Sequence, residues 1–491
     1  MPTRVCRLPR PHAVPAERLR QPAEQSAPDE ANKPWAEDAY KWFFALGVLI
    51  ALTGGAVLGT WFMYTMGSTG SYFAPGIHRM NAHAFAMIYG FVGAFVMGFG
   101  YQALPRFKQT VVRDPKLAPL SLVLLLSGVG LRFFGEFFGH GESGNALVNH
   151  LPGASAALLG TGLTFAAFVV FSVALLRTYR AAGKPFEAYD WWILGSLFWF
   201  NVSLLMSGAY YALLFASDGF SELVARVSML QDALRNVQLF GAITMIVLGV
   251  MLRFLPPVFG FAAPDKRRYM RMFWLVNAGL VLMVIAFPLS MATKRGLIGA
   301  ESATTALRGV YFLGAIAMSG GLIGALAGFR PWARPGSTDR SVKFARVAQL
   351  WLALSLLMLL LEPVYVIGIL KTFGHGYHGG MRHALTLGFV VMMIVAVSTR
   401  VVPTLKGINT EKLSRLRVLF VLLNVAIAAR VVAEIAGDFS KGALPALAPT
   451  GALLLVALLL WGVHLLRIVH GCAVRESETV IAKQEQGASH A

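Results

Sequence analysis

Apolar runs near or above about 20 residues recur along nearly the whole chain, the length a helix needs to cross a hydrocarbon core about 30 Å thick. In lipid a backbone amide has no water to bond, so only helices and closed barrels span the layer. Runs this long far exceed a barrel strand of about 10 residues. The chain therefore reads as an all-α polytopic membrane protein. Twelve helices are expected, near 42–66, 83–104, 117–139, 152–176, 190–216, 236–257, 272–291, 309–328, 344–370, 383–399, 418–436 and 446–469.

The charges fix an orientation. Loops alternate between more and less basic, with 20 Lys and Arg in one set and 9 in the other. The positive-inside rule places the richer set, and both termini, in the cytoplasm of a bacterial-type inner membrane. Residues 1–40 are polar and rich in Pro and Arg. They lack an apolar signal core and read as a flexible cytoplasmic tail. Residues 41–470 form the membrane domain and 471–491 a second tail. The net charge of +19 does not imply nucleic acid, because the basic residues are scattered over short loops. Cys6 and Cys472 lie in the tails, so neither a disulfide framework nor a cysteine metal site is expected.

Three helices that run from the less basic to the more basic side share a register. They end in YQALPRF, MLRFLPPVF and STRVVPTL, aligned on Pro105, Pro256 and Pro403. Each has a glycine fifteen residues earlier, at Gly90, Gly241 and Gly388. Twenty-seven residues after the first and third prolines come Arg132 and Arg430, each with a glutamate four later, Glu136 and Glu434. The middle copy has Met283 and Phe287 at those places. The pattern predicts a degenerate threefold arrangement of three four-helix units, whose interfaces are natural sites.

The histidines cluster on one face. His78, His83, His140, His150, His375, His378 and His383 all fall in the less basic loops or at the helix ends beside them. Imidazoles layered at one membrane face suggest a metal or heme site there. Arg132 and Arg430 are costly in lipid, so each needs a partner or a function. The local alternative is an i,i+4 ion pair with Glu136 or Glu434; the functional one is contact with anionic groups such as heme propionates. The stretch GHGYHGGMRH, residues 374–383, reads as a Gly-rich loop. Glu362 is a lone acid, read equally as a proton relay or an arginine partner.

HAFAMIYGFVGAFVMGFGYQALPRF and RHALTLGFVVMMIVAVSTR resemble the NnrS family, membrane heme proteins associated with nitric oxide and nitrosative stress. The twelve-helix plan, with histidines on the second and tenth helices, resembles subunit I of the heme-copper oxidases. The resemblance implies heme b held by His83 and His383 with Arg132 and Arg430 in support. It also makes His78, His375 and His378 secondary metal contacts, copper included, and nitric oxide and an electron-transfer partner the expected company. An NnrS-like second helix carries a His-x-His pair, whereas this chain has His83 and Phe85. Phe85 holds the register place of His383, so the two histidines are offset by two residues. Residues 236–291 contain no histidine, which removes the copper ligands a terminal oxidase needs. Rival classes are a secondary transporter and a redox subunit of a larger complex.

Overall fold

A computed structural model describes residues 33–143, 146–299, 302–410 and 413–470. Most of the two tails therefore lies outside the described residues. Twelve helices are long and apolar enough to cross a bilayer. They are α1 (Asp38–Thr69), α2 (Ile77–Phe107), α3 (Leu117–Phe138), α4 (Leu151–Ala182), α5 (Ala188–Phe215) and α6 (Phe220–Phe259). Then come α7 (Lys266–Lys294), α8 (Ala303–Ala327), α9 (Val342–Leu370), α10 (His375–Leu405), α11 (Arg417–Phe439) and α12 (Lys441–Val469). A short antiparallel hairpin, β1 (His140–Ser143) and β2 (Ala146–Asn149), joins α3 to α4.

The main correction concerns α2, α6 and α10, which all begin earlier than hydropathy suggests. GHGYHGGMRH is not a loop: residues 375–383 are helical. Likewise α6 is 40 residues long, about 60 Å at 1.5 Å per residue and twice the hydrocarbon thickness. Its first turns carry Glu222, Arg226, Asp232 and Arg235, which broke the apolar run without breaking the helix.

The three aligned helices share a local device. Each widens into a π-helical stretch, at Ala86–Val92, Val237–Thr244 and Ala384–Val391. The register glycine sits inside each one, where a neighbouring side chain presses on the backbone. A Cβ on Gly90 would lie 2.8 Å from Ile50, on Gly241 2.8 Å from the Trp199 ring, and on Gly388 2.5 Å from the Trp351 ring. Trp199 Nε1 donates to Asn277 Oδ1 at 2.8 Å and Trp351 Nε1 to Asn424 Oδ1 at 3.2 Å. Both asparagines stand 21 residues after their proline; the first copy has Leu126 there.

Helix pairs α3–α4 and α7–α8 touch through glycine, as close membrane helices do. A Cβ on Gly160 would fall 2.3 Å from the Arg132 amide nitrogen and 2.6 Å from the Gly128 carbonyl. Both obstacles are backbone, so this contact sets the position of Arg132. Gly160→Ala is expected to destabilise the protein by about 1–3 kcal/mol, the usual cost of overpacking. Thermal unfolding in detergent reads this out, with Gly162→Ala as control because its added Cβ meets nothing within 4 Å.

Candidate functional site

Near the histidine-bearing ends of α2 and α10, two imidazoles are held by one nitrogen each. His83 Nδ1 lies 2.7 Å from the Gly54 carbonyl oxygen of α1. That carbonyl is available for a local reason. Residues Ala51–Val57 form a π turn, and the Leu58 amide bonds the Thr53 and Gly55 carbonyls, bypassing Gly54. His383 Nδ1 lies 2.7 Å from Glu434 Oε1 and 2.9 Å from Oε2, on α11. In both rings Nδ1 is engaged, which leaves Nε2 as the nitrogen outside these contacts.

The two arginines behave differently. Arg132 is 2% exposed and pairs with Glu136 through Nη2 at 2.8 Å. Its guanidinium sits 3.9 Å from the Tyr211 ring centre and 5.2 Å from that of Phe85. The ring at the register place of His383 thus carries a cation–π contact. Arg430 is buried and directs Nε to Thr450 Oγ1 at 3.3 Å, while Glu434 turns to His383. The expected i,i+4 pair therefore forms in the first copy, and in the third the glutamate is given to a histidine.

The family model described as NnrS protein matches residues 34–471. The chain belongs to the NnrS family. No curated protein matches it. The NnrS match runs from the start of the described chain through the last helix, so His83, His383 and both arginines all lie within it.

The remaining predicted site residues of this NnrS protein do not converge. His78 faces Glu136, Nδ1 to Oε1 at 3.5 Å, and stacks on His140 with ring centres 4.0 Å apart. Burial, then the neighbouring His78, hold His140 down to about 4, so it is neutral at pH 7. Its Nδ1 lies 3.4 Å from the Glu136 carbonyl and its Nε2 3.4 Å from the Tyr211 hydroxyl. His378 is bracketed by acids, Nδ1 to Glu362 Oε1 at 3.1 Å and Nε2 to Asp232 Oδ1 at 3.3 Å. Glu362 therefore has a histidine partner rather than an arginine one. His375 packs edge-on against Phe73 and Phe373. Among the described residues no group of three His, Cys, Asp or Glu could hold a metal ion. The structure does not gather His78, His375 and His378 into one group: one ring is spent on two carboxylates, one is wedged between phenylalanines, and one belongs to the Arg132 cluster.

Hydropathy missed a buried chain on α2, α5 and α6. Arg235 donates to Asn81 Oδ1 at 2.9 Å and Gln238 Oε1 at 2.7 Å. Gln238 Nε2 donates to Tyr89 Oη at 3.0 Å, and Tyr89 to Ser203 Oγ at 2.8 Å. Asp232, which also takes Arg382 Nη2 at 2.6 Å, is part of the same omission. The available signal was the helical spacing of Asp232 and Arg235, read as loop because they are polar, with Gln238 inside the expected helix.

Proposed function

We propose that this NnrS-family protein binds heme b in a bacterial-type inner membrane, with both termini cytoplasmic. Its role would lie in nitric oxide metabolism or the response to nitrosative stress. One observation carries the reading: His83 and His383 each have Nδ1 tied to an acceptor on a neighbouring helix, a carbonyl for one and a carboxylate for the other. Ligating histidines characteristically donate the other ring N–H to a carbonyl or carboxylate, which fixes the tautomer and raises basicity. The Gly54 carbonyl and the Glu434 carboxylate supply those two acceptors.

The residues present fit the group. His83 and His383 would hold its iron. Arg430, buried beside them, and Arg132, whose Nε and Nη1 have no hydrogen-bond partner, would face its propionates. Heme supplies an iron that exchanges electrons and binds nitric oxide when an axial position opens. A redox role would call for an electron donor. The threefold, oxidase-like arrangement of the helices belongs to the same proposal, supported by the repeated π turns and Trp–Asn bonds. Copper has no support in the arrangement of His78, His375 and His378.

The test is the optical spectrum of purified protein from heme-replete cells, oxidised and then reduced with dithionite. A Soret band that sharpens on reduction is expected. Its absence would sink the proposal.

A further inference from the structure

On the basic side of the histidine layer, the three aligned helices line an apolar cavity of about 80 Å³ that is partly open. Its lining repeats the sequence register. Ten residues before the prolines stand Phe95, Ile246 and Met393; six before them stand Phe99, Val250 and Val397; all six line it. The positions nine and five residues before each proline line it as well. Four register positions, taken from three helices, thus build one chamber. Val390 at its edge is seven residues along α10 from His383, about 10 Å at 1.5 Å per residue.

Nothing in the lining offers water a bond. The one side-chain hydroxyl there, Ser398 Oγ, accepts from Trp461 Nε1 at 3.2 Å and donates to the Val395 carbonyl at 3.3 Å. Such cavities stay dry and take apolar guests; one of about 150 Å³ accepts benzene or xenon. At roughly half that volume, this chamber suits a guest smaller than benzene.

We infer that this chamber is a binding site for a small uncharged gas, a diatomic such as nitric oxide or oxygen, entering from the bilayer. The site is defined by its walls and does not depend on whether heme is bound.

The test uses xenon on the full-length protein in detergent, followed by xenon NMR, together with a structure determined under xenon pressure. Xenon density between Val250 and Val397 is expected. Val250→Phe, which fills the chamber, should abolish both the density and the bound-xenon shift. Val397→Phe should do the same and serves if the first variant does not fold. Wild-type protein with no xenon in the chamber overturns the inference, as does an unchanged shift in a folded filled variant. A protein that lacks a Soret band yet binds xenon here would sink the heme proposal and leave this one standing.

Discussion

His383→Ala is expected to strip most of the heme from the purified protein, and His83→Ala to do likewise. His470→Ala, at the opposite end of α12, should leave the Soret absorbance per protein unchanged. The loss is large because each imidazole would hold the proposed heme and no neighbour is free to replace it: His378 is spent on Glu362 and Asp232, and His78 on Glu136 and His140. Glu434→Gln separates ligation from positioning. Glutamine still accepts from the His383 ring but carries no charge, so heme should remain while affinity falls about 10–100-fold. The heme midpoint potential should rise, because the neutral amide makes the ring a poorer donor. Measurements are the absorbance ratio, heme titration of the apoprotein and a redox titration. Full heme in both histidine variants would overturn the ligand assignment.

The two-residue offset between His83 and His383 is legible in the sequence, where the register makes Phe85 the counterpart of His383. Two residues turn a helix by about 200°. Strict counterparts in repeated units face their own units alike. Two ligands meeting across one interface must face opposite ways, and the structure has His83 turned to α1 and His383 to α11. The spans and the Gly–Pro register could be read because both are local patterns. What could not be read was the choice among partners, such as Glu434 serving His383 rather than Arg430. That choice depends on helix packing and on a π turn that frees the Gly54 carbonyl. Polar helix was mistaken for loop at residues 220–236 and 375–383, because hydropathy reports the surroundings a segment prefers and not its hydrogen bonds.

Lys108→Met is expected to cost about 3–5 kcal/mol, the range for removing one partner of a buried ion pair. Counted from sequence as one more loop charge, Lys108 is 2% exposed and lies 2.5 Å from Asp190 Oδ2. Its ammonium also donates to the Pro185 carbonyl at 2.9 Å and stands over the rings of Tyr179, Phe186 and Tyr189. Asp190 is fully buried and accepts from the Glu187 amide at 2.7 Å, closing the capping box that starts α5. Methionine matches the stem of lysine but leaves that carboxylate without its cation. The double variant Lys108→Met with Asp190→Asn should recover much of the loss, because asparagine still accepts the Glu187 amide and no charge is stranded. Thermal midpoints in detergent for the two single variants and the double give the coupling directly. Equal losses in Lys108→Met and in the double variant would show that packing, not the stranded charge, sets the cost.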